Sequence, residues 1–533
     1  MRLTDVKLRA ARARIAAAVA GVLPPEELGE IRLRAEQRLA AARVIESIDR
    51  DGGALLADDV GRGKTFVALA VARRWAQPLV VAPASLRDTW EQAMRRAGVP
   101  CAFISHEALS RRRRPDVVPD GVIVDESHRF RSATTRRYDM LAELAARVPV
   151  LLMSATPLQN RPRDLAAQLA IFLGTRALSF DVDTLARFVV RTPMLDRSPL
   201  PVVTPPQWIA LDTDDGGVLR AILALPPPAR AIDAGDGGVL RTITLVRAWA
   251  SSRAALTRMI ERRRSVALAI ERSAADGVWP SRRELRIWHG GDGVTQLGFA
   301  SILADATVRE KVRDNLLHAA RAECEGLDRI DRAMRDGPDP DRARVGALRA
   351  LRDSDPSARV LAFSEMAGTV RAYWSVLRSE RAVGMLTSSE ARIASGRVTR
   401  EELLDRFAPR ARDARAPHPR EAVTLLLTTD LLSEGVNLQD ASIVVHLDLP
   451  WNPARLAQRI GRVRRLGGAS EVRSFLVPPP ASTELLLAVE SKLRRKLADA
   501  ERTIGRSLPV LPSLASHHGG SLAQDDATSA DVL

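Results

Sequence analysis

The sequence predicts an α/β protein with two parallel-sheet lobes and a mainly helical insert between them. In two separate parts of the chain, short apolar runs alternate with helical stretches, a pattern typical of parallel sheets. The part between them contains proline-rich segments and then arginine-dense helical periodicity. A length of 533 residues leaves room for several domains of about 150 residues each.

Five segments follow from this pattern. We expect an N-terminal helical segment at 1–30, a first lobe at 31–175, the insert at 176–357, a second lobe at 358–480, and a C-terminal helix with a disordered tail at 481–533. The basic, apolar N-terminus is interpreted as an amphipathic helix rather than a secretory signal, because no clear small-residue cleavage site follows it.

Each lobe has four candidate strands of β-rich apolar residues. In the first lobe they lie at 54–57, 79–82, 122–124 and 150–153, and in the second lobe at 360–363, 423–428, 443–447 and 473–477. Because functional groups of α/β proteins lie beyond the carboxyl ends of the strands, motifs at these ends are the candidates for chemistry.

The composition excludes several classes of protein. Two cysteines, Cys101 and Cys324, provide neither a disulfide framework nor a zinc site, which fits a reducing, cytoplasmic location. No apolar run is long enough to span a membrane. The net charge of +15 favours polyanionic partners, but five lysines against 75 arginines indicate a compositional bias that explains part of it.

The first motif is a candidate phosphate-binding loop. In Ala54-Leu-Leu-Ala-Asp-Asp-Val-Gly-Arg-Gly-Lys-Thr65, a strand is followed by a glycine loop and a helical run, the order that an anion at a helix N-terminus requires. Gly61 and Gly63 allow close backbone approach, Lys64 is expected to contact phosphates, and the Thr65 hydroxyl to ligate Mg²⁺. Asp58 stands in the position of the usual first glycine.

Three further motifs lie at later strand ends. Gly121-Val-Ile-Val-Asp-Glu-Ser-His128 supplies Asp125 and Glu126, a carboxylate pair suited to holding a metal ion and activating water. In the run 151–160, Ser154 and Thr156 are candidates for coupling the site to another surface. In Gln458-Arg-Ile-Gly-Arg-Val-Arg-Arg-Leu-Gly467, Arg462 and Arg465 are three residues apart, so a continuous helix would place them on one face.

In this order, the motifs resemble those of the superfamily-two nucleic-acid-dependent ATPases, and within them the Swi/Snf-type, or Snf-like, branch with its bacterial RapA-like members. The phosphate loop resembles the D-E-x-G-x-G-K-T of that branch. Further matches are Val80-Val-Ala-Pro-Ala-Ser-Leu86 followed by Trp90, Ser105-His-Glu-Ala-Leu109, and Asp448-Leu-Pro-Trp-Asn-Pro453. The resemblance covers roughly residues 31–175 and 358–478, and it implies RecA-like lobes.

The resemblance also implies roles for individual residues, with ATP and Mg²⁺ as ligands. It implies Gln37 as an adenine contact, Gly435 near the nucleotide, Asp125 on the metal ion and Glu126 as the catalytic base. Arg462 and Arg465 are implied as arginine fingers from the second lobe. Departures from the pattern are Asp59 for a usual Glu, Ser127 for an Ala, and Arg464 and Gly468 where His and Gln are common.

The implied function is an ATPase that moves along duplex DNA and displaces or remodels bound proteins. Arg111, Arg112, Arg113 and Arg114 are candidate nucleic-acid contacts, and 262–264 are further candidates or a solvated helix face. Two alternatives stay open: a strand-separating DNA or RNA helicase, and a regulatory DNA-binding subunit of a multi-protein defence or repair complex with little turnover. Further partners are expected to be proteins of a larger complex. No association with a membrane is expected.

Overall fold

The computed structural model describes ten stretches of the chain. They are residues 23–59, 61–155, 162–192, 200–211, 217–226, 237–276, 310–430, 436–465, 467–504 and 509–512. Most of the expected N-terminal helical segment, together with Thr156 and Gly435, lies outside them. The described end of that segment is not helical, because β1 (Glu27–Leu28) pairs with β2 (Ile31–Arg32) in an antiparallel hairpin.

The first lobe is built on a six-stranded sheet in which every pair of neighbours is parallel. Its strands are β3 (Gly53–Leu56), β4 (Pro78–Ala82), β5 (Ala102–Ser105), β6 (Gly121–Val124), β7 (Val150–Met153) and β8 (Val189–Val190), in the order β5-β4-β6-β7-β3-β8. The four strands predicted from apolar runs are all present within one residue at each end.

Helices cover both faces of this sheet, so its central strands are apolar without alternation and fully buried. They are α1 (Ala35–Asp51), α2 (Lys64–Ala72), α3 (Arg87–Ala97), α4 (His106–Ser110), α5 (Arg136–Ala145), α6 (Pro162–Leu173) and α7 (Val182–Ala186). Two apolar clusters result, one on each face, with Trp90 buried in one and Phe130 in the other. The sheet is therefore a rigid base for the loops at its carboxyl edge.

The second lobe has a larger, mixed sheet. Its strands are β9 (Val202–Val203), β10 (Gln207–Trp208), β11 (Val360–Ser364), β12 (Val383–Leu386), β13 (Ala391–Ile393), β14 (Gly396–Val398), β15 (Leu425–Thr429), β16 (Ile443–His446) and β17 (Glu471–Leu476). The order is β10-β17-β16-β11-β15-β12-β13-β14, with β9 also paired to β17. The core is parallel, and only the pairs β12-β13 and β13-β14 are antiparallel.

The helices packed on the second sheet are α13 (Ala367–Leu377), α14 (Arg400–Phe407), α15 (Pro453–Val463), α16 (Ala481–Leu487) and α17 (Val489–Ile504). Asn452 caps α15 by accepting the amide N–H of Ala454 at 3.0 Å, and Pro453 follows at a position where a missing N–H costs nothing. These two lobes confirm the predicted fold class.

The insert contributes α8 (Val218–Leu223), α9 (Gly237–Ser251), α10 (Arg253–Asp276), α11 (Glu310–Asp336) and α12 (Pro340–Ser354). Leu245, Trp249, Leu256, Leu327 and Ile330 form its own buried cluster. Its last helix joins the second lobe, because Val345 and Leu348 of α12 pack beneath that sheet.

The segment before α8 differs from the expected insert. β8 pairs with β3 of the first lobe, and β9 and β10 pair with β17 of the second. Two-residue strands have no periodicity that sequence can show, and their pairing partners are distant in the chain. Within the described stretches, no helix is both long and apolar enough to cross a membrane.

Candidate functional site

The phosphate loop connects β3 to α2 at the carboxyl edge of the first sheet. Gly61 and Gly63 have φ of +85° and +77°, in the left-handed region that favours glycine, and Gly63 is the N-cap of α2. Lys64 turns back over the loop, where its Nζ donates to the carbonyl oxygens of Asp58 at 2.7 Å and Asp59 at 3.2 Å. Thr65 lies in the first turn of α2, beside Lys64.

Arg191 and Thr192, which directly follow β8, hold the phosphate loop from the other side. Sequence analysis missed both residues. The buried Asp58 carboxylate accepts the amide N–H of Thr192 at 2.6 Å and its hydroxyl at 2.7 Å, and Arg191 lies 2.9 Å from Asp59. The sequence signal was weak: Asp58 and Asp59 at a buried loop need donors, but nothing local identifies residues more than 130 positions away. Asp58 is therefore a structural anchor in place of the usual glycine.

Gln37 of α1 also supports the loop. Its side-chain oxygen accepts the amide N–H of Arg34 at 3.0 Å, and its Nε2 donates to the carbonyls of Arg62 at 3.3 Å and Gly63 at 3.4 Å. A Cβ at Gly63 would lie 2.4 Å from that Nε2. Gln37 thus contacts the backbone of the phosphate loop, and its implied role as an adenine contact stays a prediction.

The carboxylate pair lies beside the loop at the end of β6. Asp125 accepts the indole N–H of Trp90 at 3.1 Å and the amide N–H of Glu126 at 2.9 Å. Glu126 has a φ of 50°, which is uncommon for a residue other than glycine, and its Oε2 lies 3.2 Å from Nδ1 of His128. Trp90 and His128 therefore orient the two carboxylates.

The charges around the pair shift its protonation. Burial, followed by the neighbouring charge of Glu126, raises the pKa of Asp125 to about 6. Burial also acts to raise the pKa of Glu126, but the hydrogen bond and charge of His128 and the charges of Lys64 and Arg462 outweigh it and lower that pKa to about 2. Glu126 is thus held ionised between cations from both lobes.

The run 151–160 contacts the carboxylate motif at 121–128 through a hydrogen bond. Nδ1 of His128 lies 3.1 Å from the hydroxyl of Ser154, at the end of β7. Ser127 instead donates to the buried side-chain oxygen of Gln168 at 2.9 Å, which explains how a serine is accommodated there. Of the two predicted coupling residues, Ser154 is placed next to the site, and Thr156 lies outside the described residues.

The arginine motif reaches the first lobe, although its local structure differs from the prediction. Helix α15 ends at Val463, and Arg464 has a non-helical ψ of 80°, so Arg465 does not share a helix face with Arg462. The chain instead turns towards the phosphate loop: a Cβ at Gly61 would lie 2.6 Å from the carbonyl oxygen of Arg464 and 3.8 Å from Cγ of Arg465. Both arginines are still brought to the site.

Several buried N–H groups around this contact have no hydrogen-bond partner among the described residues. They are Nε of Arg62, Nη1 of Arg464 and Nε of Arg465. Burial, with the charge of Arg462, lowers the pKa of Arg465 to about 9. Unsatisfied buried donors are costly, and guanidinium groups form strong bidentate hydrogen bonds with carboxylates and phosphates. The cleft therefore has the donors and positive charge to bind a polyphosphate.

Arginines proposed to contact nucleic acid fall into two groups. Arg111, Arg112, Arg113 and Arg114 are all exposed after α4, and only Arg114 has an ion pair, a 3.3 Å contact with Glu143, among the interactions described. In the insert, Arg263 pairs with Glu323, and Arg264 with Asp328 and Asp331. Arg263 and Arg264 are therefore occupied in packing α10 on α11. Gly435 lies outside the described residues.

Comparisons with known proteins agree with these motifs. The family profile for the helicase conserved C-terminal domain matches residues 344–467. The RNA polymerase-associated protein RapA of Erwinia tasmaniensis is 25% identical over 469 residues, 79% of this chain and 45% of that protein.

Two shorter matches are more similar in sequence. The SWI/SNF-related matrix-associated actin-dependent regulator of chromatin subfamily A-like protein 1 of Xenopus tropicalis is 30% identical over 149 residues, 23% of this chain and 16% of that protein. An uncharacterized ATP-dependent helicase of Bacillus subtilis, YqhH, is 45% identical over 56 residues, 10% of each chain. The matches span less than half of each of these three relatives.

Proposed function

Because the chain belongs to the Snf-like, helicase-related ATPases of superfamily two, we propose that it hydrolyses ATP and uses the energy to move along duplex DNA. We further propose that this movement displaces or remodels proteins bound to the DNA, as expected of the bacterial RapA-like branch. One observation carries the proposal: the arginine segment of the second lobe contacts the phosphate loop of the first at Gly61.

The residues present fit ATP. The loop backbone around Gly61 and Gly63, the Lys64 ammonium and the unpartnered guanidinium N–H groups of Arg62 and Arg465 are all donors suited to phosphate oxygens. Lys64 is desolvated by its surroundings, and this burial lowers its pKa against the opposing charges of Glu126 and Asp58. Phosphate binding would compensate for that desolvation.

The same site fits Mg²⁺. A hydroxyl from Thr65 and a carboxylate from Asp125 are hard oxygen donors, and Mg²⁺ is commonly bound by one or two carboxylates together with substrate phosphates. When bound, the ion would neutralise charge that develops on the phosphates.

In this proposal each residue of the candidate site has a separate role in hydrolysis. Glu126, held ionised by His128, accepts a proton from the attacking water, and Trp90 keeps Asp125 oriented. Arg462 and Arg465 stabilise the transferred phosphoryl group from the second lobe. Since these groups come from different lobes, hydrolysis requires the lobes to close, and cycles of closure and opening would move the protein along its track.

Duplex DNA is favoured as the track for two reasons. Exposed arginines at 111–114 bind phosphates without reading sequence, and aromatic residues that stack on single-stranded bases make up only 4% of the chain. The names of the relatives refer to RNA polymerase association and to chromatin. For this chain we infer a similar context, with protein partners on DNA.

The test is steady-state ATPase activity of the purified protein with single-stranded and double-stranded DNA and RNA. We expect the largest stimulation with double-stranded DNA, and displacement of a triplex-forming strand without separation of the duplex. Equal rates with and without nucleic acid would contradict the proposal. ATP-dependent separation of strands would favour a helicase, and DNA binding without turnover would favour a regulatory subunit.

A further inference from the structure

One face of α9 in the insert carries two polar side chains that reach the second lobe. Arg247 and Ser251 are four residues apart, so they lie on the same side of the helix. Nη2 of Arg247 donates to Oε2 of Glu365 at 2.5 Å, and the hydroxyl of Ser251 donates to Oδ2 of Asp448 at 2.7 Å. The insert therefore contacts two carboxylates next to the second sheet.

The same two carboxylates hold arginines of α15 from the other side. Nη1 of Arg455 lies 2.7 Å from Oε1 of Glu365, and Arg459 places Nη2 3.5 Å from Oδ1 of Asp448 and donates through Nη1 to its carbonyl at 3.3 Å. Arg455 and Arg459 are also four residues apart. Both additionally contact Asp430, at 3.1 Å and 2.6 Å. Glu365, Asp430 and Asp448 thus form a carboxylate layer between α9 and α15.

This carboxylate layer is shielded from solvent. The side chain of Arg459 is fully buried, and those of Glu365 and Asp448 are 12% and 8% exposed. Burial, then the charge of Asp448, raises the pKa of Glu365 against the opposing charges of its arginine partners. In such surroundings, the loss of one partner weakens the compensation of a buried charge and shifts the partners that remain, Arg455 on Glu365 and Arg459 on Asp448.

The layer also contacts the loop that leads into α15. Asp448 anchors the loop that leads to Asn452, the N-cap of α15, by accepting the amide N–H of Glu365 at 2.9 Å. Trp451 belongs to that loop, and its ring lies 5.5 Å from the guanidinium of Arg247 on α9. The opposite end of α15 carries Arg462, whose charge reaches Glu126. A shift of α9 would therefore move the helix that brings Arg462 to the nucleotide site.

We propose that Arg247 and Ser251 are positioning residues through which the helical insert sets the place of α15, and with it Arg462, at the nucleotide site. This inference rests on the proposed ATPase function for its kinetic consequence, but not for its structural one. A ligand that binds the insert and displaces α9 would change the rate of ATP turnover without contacting the nucleotide.

The test uses Arg247→Met and Ser251→Ala, with matched controls in the same insert. Arg321→Met removes an arginine whose ion pair, with Glu271, stays within the insert. Ser265→Ala removes a hydroxyl that donates to the carbonyl of Glu261 on its own helix. Arg247→Lys is the conservative variant, since it keeps the charge but loses the fork geometry.

The first measurement separates turnover from nucleotide binding. We expect kcat to fall about tenfold in Arg247→Met and Ser251→Ala, the usual scale for losing a hydrogen bond to a charged group, with the dissociation constant of a fluorescent ATP analogue nearly unchanged. Arg247→Lys should recover part of kcat, and both controls should match the wild type. Unchanged kcat in both test variants would overturn the proposal.

The second measurement is amide hydrogen exchange of the nucleotide-free proteins, which does not depend on ATPase activity. We expect faster exchange over Pro453–Val463 in both test variants, with the first-lobe sheet unchanged. Wild-type exchange over α15, or a rise spread over both lobes, would overturn the positioning role. A third outcome is that exchange is faster only over α15 but the wild-type protein hydrolyses no ATP. This outcome would support the coupling between α9 and α15 and contradict the proposed ATPase function.

Discussion

At the residue scale, three carboxylates of the candidate site are held by neighbouring side chains. The carboxylate of Asp58 is bound by Thr192, that of Asp125 by Trp90, and that of Glu126 by His128. Each contact orients a charged group before any ligand binds, which reduces the reorganisation required during reaction. The site is therefore preorganised by residues that have no chemical task of their own.

Glu126→Gln tests the proposed base. The amide cannot accept the proton of the attacking water, so we expect turnover to fall by about 100- to 10,000-fold while ATP binding persists. Steady-state ATPase assays and fluorescent-nucleotide titrations measure the two effects. Glu91→Gln, on the exposed surface of the same lobe and paired with Arg87, is the control. Near-normal turnover would assign the base to another residue.

Thr192→Val tests the anchor of the phosphate loop. Valine keeps the shape of threonine and the backbone N–H that Asp58 accepts, but it removes the 2.7 Å hydroxyl contact. A hydrogen bond to a charged group contributes about 1.5–3 kcal/mol, so we expect nucleotide affinity to fall by about 10- to 100-fold. Thr134→Val, at an exposed position of the same lobe, should bind nucleotide normally. Unaltered affinity in Thr192→Val would show that the loop does not need this anchor.

At the element scale, the important feature is where α15 stops. The motif of arginines at 459, 462 and 465 is periodic, yet the helix ends at Val463 and the three side chains separate. Arg459 stays inside the second lobe with Asp430, whereas Arg464 donates to the carbonyl of Pro201 at 3.0 Å and directs the chain towards Gly61. A continuous helix would have kept these residues on their own lobe.

Gly61→Ala tests this contact. The added Cβ would lie 2.6 Å from the carbonyl oxygen of Arg464, so we expect the lobes to be kept apart and ATPase activity to be largely abolished. Gly52→Ala is the matched control: its φ is +78°, close to the +85° of Gly61, but nothing lies within 4 Å of its Cβ.

Both glycine variants carry the same backbone strain, about 1–2 kcal/mol for a left-handed alanine. Differential scanning fluorimetry should therefore show similar decreases of Tm, while only Gly61→Ala is inactive. Equal ATPase rates in the two variants would mean that the lobes do not need to meet at Gly61.

At the scale of the whole molecule, the described residues form two sheets whose functional edges meet, with the insert attached to the second. The proposed site draws on both lobes, since Lys64 and Glu126 come from one and Arg462 and Arg465 from the other. The insert is fixed to the second lobe at the break between α9 and α10, where Arg344 donates to the carbonyl of Ser251 and Asp341 accepts the amide N–H of Arg253. The positioning role that we propose for Arg247 and Ser251 would use this attachment to connect the insert with the nucleotide site.

Arg111→Gln combined with Arg113→Gln tests how the molecule meets its track. If both side chains bind phosphates, the slope of log K against log salt concentration should become shallower by about 0.9 for each phosphate that the variant no longer binds. Fluorescence anisotropy with duplex DNA across a salt series measures this slope. Arg73→Gln combined with Arg147→Gln, exposed residues at the opposite edge of the first sheet, is the control. An unchanged slope in the test variant would place the DNA elsewhere.

Much of the fold and site was predictable because it is encoded locally. Apolar runs located the eight predicted strands within two residues, although β5 and β12 were not among them. The glycine loop, the carboxylate pair and the arginine motif each occupy one short stretch next to a strand or helix. The composition indicated a polyanionic partner only weakly, and that expectation came to depend on the motifs. Residue roles at Lys64, Glu126, Arg462 and Arg465 remain proposals that the geometry supports.

By itself, the sequence determined the two lobes and the order of the motifs, and it indicated the class of ligand that we propose, because each depends on residues that are neighbours in the chain. Only the tertiary structure decided which distant groups complete them: Thr192 on Asp58, His128 on Ser154, the end of α15 at Gly61, and the carboxylate layer between α9 and α15. Pairing of short strands and burial of charge depend on contacts across more than a hundred residues, and no local pattern records them.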